Sequence, residues 1–225
     1  MWTVTTLYIT GCCQCQHWLF YNRSMMTKEK PKPYHHGNLQ EALLKAALVL
    51  IAKVGPMAFT LREVARQAGV SHNAPYRHFL DKDALLAAVR EQGFRDLNRA
   101  MQSAAVKRQT TALDRLKAAG LAYVSFALRR PEHFAVMFDV PVPANNSSER
   151  RGAQKEAFET LVRLVEDCQE AGQMPSGESI DFALLAWTMV HGIAKLATTR
   201  RLPYRSETEI LRFSEFVIDQ SLPRL

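Results

Sequence analysis

Cysteine is scarce in this chain: four in 225 residues, at positions 12, 13, 15 and 168. Three crowd the N-terminus and one stands alone, so no disulfide framework can be drawn, and a reducing compartment, the cytoplasm, is the expected home. Long apolar runs are lacking as well, so neither a membrane-spanning segment nor a membrane partner is expected. A secretory signal would open with positive charge, but the first basic residue is Arg23, and no small-residue cleavage site follows it. The alternation of apolar and polar residues that marks strands never persists for long. Absent too are H-E-x-x-H, paired C-x2-C, G-x-S-x-G, G-x-G-x-x-G and the phosphate-binding P-loop. Cys12, Cys13, Cys15 and His17 are metal-ligand types, but their spacing is not that of the common zinc modules. The expectation is no metal, no cofactor and no enzyme.

What is present is helical. Ala, Leu, Arg, Glu and Gln dominate, and hydrophobic (47%) and charged (23%) contents are those of an ordinary globular protein. An all-α fold follows. The net charge of +7 is unevenly placed. Residues 28–108 hold 14 Lys and Arg against 7 Asp and Glu, whereas residues 109–225 hold 14 against 15. A basic half joined to a neutral half suits a polyanion-binding module carrying a second module with another task, although a merely solvated basic surface would give the same count. Residues 1–34 are expected to be an extension and basic arm without fixed structure. Met25 and Met26 stand just before the polar arm TKEKPKPYHHGN and are candidate true starts.

From residue 35 the pattern sharpens. Leu43, Ala46, Ala47, Leu50 and Ile51 give a first helix, Leu39 to Val54, stopped by Gly55-Pro56. A second helix begins at Thr60, where Thr60 and Glu63 form a capping box and Phe59 and Val64 a hydrophobic staple. Leu61, Val64, Ala65 and Ala68 are its buried stripe, and Gly69 supplies a left-handed end. A further helix is expected from the N-cap Ser71, with Pro75 at about its fourth position, where a proline removes at most one early bond. Asp81 then caps a long helix to about Val106, with Leu80 and Leu85 as another staple. Two short helices joined by a tight glycine turn and braced by longer ones form a helix-turn-helix. Its expected extent is 35–89, and 90–225 form the second domain, joined rigidly by the long helix although the pattern breaks near 107–111. Later helices are expected at 112–130, 132–138, 149–171, 180–201 and 207–221, with a loop at PVPANNSS, residues 141–148.

The stretch SHNAPYRHF, Ser71 to Phe79, concentrates the chemistry. As a metal site it is poor, since His72 and His78 are six apart, and no orienting acid makes Ser71 a nucleophile. As a reader of DNA it is well supplied. Ser71, His72 and Asn73 are short polar groups at a helix start, suited to base edges. Tyr76, Arg77, His78 and Lys82 are phosphate donors, and Thr60 and Arg62 can meet the backbone where the preceding helix crosses it. Tyr76 could equally pack in a core, His78 hold a structural hydrogen bond, and Lys82 be a solvated helix start.

With Thr60, Val64-Ala65, Ala68-Gly69-Val70-Ser71, Tyr76, His78-Phe79, Lys82 and Leu85-Leu86 in order and at spacing, residues 35–89 resemble the DNA-binding domain of the tetracycline-repressor (TetR) family. Pro75 departs from it, where many members carry Leu. Trp187-Thr188-Met189-Val190-His191-Gly192 resembles the Trp-x3-His-Gly signature of one subgroup, and YHHGNL fits the same subgroup. The resemblance implies a homodimer, an all-helical ligand domain, and repression relieved by a small molecule.

Within the second half, Trp187 and His191 share one helix face, while Phe182, Leu185, Met189, Ile193 and Leu196 form another. A helix apolar on two sides must bury both. With Ile210, Phe213 and Val217 of the last helix, these residues suit a four-helix interface between two subunits, and a single monomeric core is the competing account. Tyr123, Phe126, Phe134, Met137, Phe138 and Phe158 offer aromatic and soft apolar surface to a ligand, or fill a core. Trp187 and His191 join that set, His191 either bonding a ligand or lying buried and tied to backbone. The expected whole is a cytoplasmic, homodimeric regulator that binds a double-stranded operator, a repressor released by an unknown small-molecule effector. The alternative is an architectural DNA-binding protein without an effector.

Overall fold

A computed structural model describes residues 39–107, 111–141 and 152–222. Among them are eight α-helices and one 3-10 turn, and no strand. The helices are α1 (Leu39–Val54), α2 (Leu61–Ala68), α3 (Lys82–Lys107), α4 (Ala112–Arg129), α5 (Pro131–Phe138), α6 (Gly152–Glu170), α7 (Ser179–Thr198) and α8 (Glu207–Ser221). The 3-10 turn, Pro75–Arg77, lies between α2 and α3. The all-α expectation therefore stands. The N-terminal arm, the cysteines at 12, 13 and 15, and most of PVPANNSS lie outside the described residues.

Local rules account for most helix ends. Thr60 caps α2 as expected: its hydroxyl accepts from the Glu63 N–H at 3.3 Å, and its own N–H donates to the Glu63 carboxylate at 2.8 Å. These bonds hold the Glu63 carboxyl below its ordinary range. Gly69 ends α2 at φ 69°, letting Val70 N–H reach Ala65 O at 3.0 Å and Gly69 N–H reach Arg66 O at 3.2 Å. Pro131, expected as a break, sits at the first position of α5, where its missing N–H costs nothing. Ser206 and Glu209 form a second capping box at α8.

Two expectations fail in the segment before α3. No α-helix runs from Ser71. The Ala74 N–H instead bonds Ser71 O at 2.9 Å, and His78 N–H bonds Pro75 O at 3.0 Å, a three-residue pattern. Pro75 has no N–H to offer the Ser71 carbonyl in an α-helical bond, so the chain tightens into a 3-10 turn capped at Ala74. The Leu80–Leu85 staple is also absent. Leu80 is 84% exposed, and Phe79 goes inward in its place. Asp81 does cap α3, accepting from the Ala84 N–H at 2.7 Å.

The buried side chains form two clusters. One joins α1, α2, Phe79 and the start of α3 through Leu43, Ile51, Phe59, Val64, Phe79 and Leu85. The other joins α3 to α8 around Leu97, Tyr123, Phe134, Val165, Ala194 and Ile218. One feature corrects the expectation that no stretch is long and apolar enough to span a membrane. The 20 residues of α7, at a mean hydropathy of 1.3, are long and apolar enough to cross a membrane by composition, the one such helix among the described residues. Part of its apolar surface is used inside the fold, where Ala183, Val190 and Ile193 enter the core, while Ile180, Leu185 and Leu196 are exposed.

Helix α5 belongs to both clusters. Its Val136 is packed among the residues of α1 to α3, and its Phe134 and Met137 lie in the second cluster. Arg90 of α3, nearly buried, donates to Val136 O at 3.2 Å and Val140 O at 2.6 Å, satisfying carbonyls at the α5 C-terminus. Gly93 of α3 allows the close approach, since a Cβ there would lie 2.6 Å from Met137 Sδ.

Candidate nucleic-acid interface and cavity

The expected DNA contacts are placed on one local frame. Ala74, Pro75 and Phe79 are buried, and Phe79 anchors the segment to the cluster formed by α1 and α2. Ser71, His72, Asn73, Arg77 and His78 are exposed, as is Tyr76 at 52%. Burying the three apolar members leaves the polar ones facing water, so neither a metal cluster nor a core role holds Tyr76 or the two histidines inside. Among the described residues no group of three His, Cys, Asp or Glu is placed to hold a metal ion. Thr60 and Arg62 are also exposed, although the Thr60 hydroxyl is engaged with Glu63 at 3.0 Å.

Lys82 is not a solvated helix start. Its ammonium donates to Met57 O at 2.6 Å and stands 4.7 Å above the Phe59 ring. Burial lowers its pKa, and the neighbouring Asp83 partly opposes that. The side chain ties the 55–60 connection to the start of α3 and still has two N–H groups to offer. Leu80 is an exposed apolar neighbour of this surface that sequence reasoning placed inside, because a leucine before a cap reads as a staple.

A cavity of about 320 Å³ lies among α3, α4, the end of α5, α6, α7 and the end of α8. Of the expected ligand residues, Tyr123, Phe138 and Trp187 line it, as does Phe158. Phe126, Phe134, Met137 and His191 do not line it. Phe134 and His191 stand beside it, in ring contact with Tyr123 and Phe138. Phe94, Leu97 and Met101 of α3 also line it and were missed. Their spacing along α3 marks a buried stripe, which is the signal that would have found them.

The polar groups of this wall bond one another. Trp187 Nε1–H donates to Tyr123 Oη at 3.3 Å, and Tyr123 Oη lies 2.8 Å from His191 Nδ1. Burial pushes the Tyr123 hydroxyl well above the usual tyrosine range, with the Trp187 bond partly offsetting it. Burial also lowers the His191 pKa, helped by Lys195 and opposed by Asp139, so the imidazole is neutral near pH 7. His191 is thus held by a side chain rather than by backbone. The i, i+4 spacing of Trp187 and His191 brings both onto one hydroxyl 64 and 68 residues away.

The residues expected at a subunit interface separate into three groups. Leu185 is exposed, and Phe182, Phe213 and Val217 are half-buried. Met189 lines the cavity, while Ile193 and Ile210 are buried within the protomer's own core. Ile180, Leu184 and Leu196 of α7 and Phe216 of α8 are exposed apolar residues as well, Leu184 also lining the cavity.

Two family models match this chain. Residues 43–89 match that of bacterial regulatory proteins of the tetR family, and residues 116–220 match the tetracyclin repressor-like C-terminal domain. The chain belongs to the TetR family. Among solved structures, it is similar to a protein of unknown function from Rhodococcus sp. RHA1, at 36% identity over 86% of this chain and 100% of that one, with a TM-score of 0.74. A tetR-family regulatory protein from Rhodococcus RHA1 shares the fold at 20% identity, covering 83% of this chain and 98% of that one, with a TM-score of 0.68. Among curated proteins, an HTH-type transcriptional repressor of Mycobacterium tuberculosis (strain ATCC 25618 / H37Rv) is 34% identical over 79 residues, 35% of this chain. That match spans 42% of the relative's length. In this TetR-family chain the first matched segment contains the exposed 71–78 surface, and the second contains the wall formed by Tyr123, Trp187 and His191.

Proposed function

We propose that this TetR-family protein is a cytoplasmic transcriptional repressor that binds a double-stranded operator as a homodimer and leaves it when a small molecule enters the cavity. Ser71, His72 and Asn73 read base edges, and Thr60, Arg62, Tyr76, Arg77, His78 and Lys82 hold phosphates. The exposed apolar surface of α7 and α8 is the subunit interface, supported by Leu185, Leu196 and Phe216 standing exposed. Two-fold pairing places two reading surfaces on one palindrome. The domain division proposed is 35–89 for DNA and 90–225 for ligand and dimer. Membership of the Trp-x3-His-Gly subgroup is supported by the shared bond of Trp187 and His191 to Tyr123.

The observation that carries the effector-controlled reading is the double membership of α5. Phe138 lines the cavity, Val136 is packed with the cluster that anchors the 71–78 surface, and Arg90 clamps the α5 C-terminus to α3. A ligand that binds one position of α5 better than another shifts the two reading surfaces with it, and affinity for the operator falls by that difference. Gel shifts on the protein's own upstream region, with and without a panel of small molecules, test this reading. Specific binding that one class of compound releases supports it. Sequence-tolerant binding that no compound releases favours an architectural role instead.

A further inference from the structure

Resting on that effector reading, the chemistry of the cavity wall narrows the ligand class. We infer that the effector is an uncharged aromatic molecule of one or two rings carrying a hydroxyl group. Size is the first argument. The cavity of about 320 Å³ is roughly twice the ~150 Å³ void known to hold one benzene molecule. A planar ligand of one or two rings fits within it. Wall composition is the second argument. Phe94, Tyr123, Phe138, Phe158 and Trp187 all line the cavity, and aromatic walls favour edge-to-face and offset contacts with a planar ligand.

Charge is the third argument. The one charged lining residue is Lys155, whose side chain is 75% exposed and lies 3.5 Å from Glu159. A carboxylate carried into the cavity would lose its water and meet no buried cation, a large cost. Besides the exposed Gln154, the polar point on the wall is the hydrogen bond between two lining residues, Trp187 and Tyr123. If Tyr123 donates to His191, its oxygen retains acceptor capacity. If His191 donates, the tyrosine proton is left over. A ligand hydroxyl, being both donor and acceptor, satisfies Tyr123 Oη in either case, which a ketone, an ether or a carboxylate does not.

The test is calorimetric titration of the full-length protein with four probes: 2-naphthol, naphthalene, 2-naphthoate and decanoate. The expected result is binding of 2-naphthol about tenfold tighter than naphthalene, the size of one hydrogen bond, and at least about a hundredfold tighter than either carboxylate. Tyr123→Phe should remove the advantage of 2-naphthol while leaving naphthalene within about twofold. Should that variant not fold, Leu161→Trp, which narrows the cavity from α6, should abolish binding of both while operator binding persists. Carboxylates binding as tightly as 2-naphthol, 2-naphthol binding no tighter than naphthalene, or binding unaffected by the cavity variants would overturn the inference. Binding as expected but with the operator retained would overturn the effector reading and leave the ligand class standing. Release of the operator by a compound of another class, with 2-naphthol inert, would do the reverse.

Discussion

The two buried clusters handle their polar groups in opposite ways. In the first, Pro75 and Phe79 go inside so that Ser71, His72, Asn73, Arg77 and His78 stay outside. In the second, Tyr123, Trp187 and His191 turn toward one another and leave an apolar cavity beside them. A surface that must displace water and counterions from a polyanion needs exposed donors. A chamber that must draw a ligand out of water keeps few polar groups and bonds them to one another, since an unpaired buried group costs as much as a lost hydrogen bond. Helix α5 touches both regimes, and it is the element through which one can sense the other.

This contrast can be broken at several points, taken from the largest effect to the smallest. Phe79→Ala removes the anchor beneath the reading surface. It should cost about 3–5 kcal/mol by urea unfolding, as large-to-small changes of a buried phenylalanine do, and abolish operator binding. Asn73→Ala leaves the fold alone. It should weaken specific binding by about 1–3 kcal/mol and relax preference at one base pair, read by anisotropy titration against permuted sites. Gly93→Ala forces a methyl against Met137. A loss of about 1–2 kcal/mol of stability is expected from overpacking, with a changed operator affinity although residue 93 lies far along α3 from the reading surface. Lys82→Ala removes the bond to Met57 O. It should cost about 1 kcal/mol of stability and lower the salt slope of DNA binding by about one.

Acid should act on the second cluster first. His133, 2% exposed with its Nε2 lacking a partner, and His191 both have pKa values lowered chiefly by burial. A histidine lowered in the folded state binds fewer protons there than in the unfolded chain. Stability from these residues is therefore complete above the ordinary histidine value of 6.5 and is lost as pH falls below it toward the folded values. His133→Gln should flatten that dependence in thermal melts taken between pH 7 and pH 5.

Much of the first region was legible in the sequence because its rules are local. Thr60 and Glu63 are three apart, Gly69 follows its helix directly, and the helix Leu39–Val54 ends where Gly55-Pro56 requires. The 3-10 turn was less legible, although its cause, Pro75, was in plain sight: the missing N–H matters more in a four-residue approach than in a long helix. Leu80 misled because a leucine ahead of a capping Asp has the pattern of a staple whether or not a pocket receives it. The cavity was legible only in fragments. Trp187 and His191 share a face by spacing, but Tyr123, the hydroxyl that unites them, is on another helix. The α3 wall of Phe94, Leu97 and Met101 can be assigned only once α3 is known to run the full length of both clusters. Met189 illustrates the same limit: on a helix apolar all round, sequence alone does not separate the face toward a partner from the face toward a ligand.

The central claim is that residues 71–78 read a specific operator. The most direct measurement is the affinity of the full-length protein for a site selected from a random oligonucleotide pool, compared with scrambled DNA of equal length at one salt concentration. The account predicts a preference of about a thousandfold or more, reduced by roughly tenfold to a hundredfold in Asn73→Ala. Equal affinity for the selected and scrambled DNA, or a preference that Asn73→Ala leaves unchanged, would contradict it.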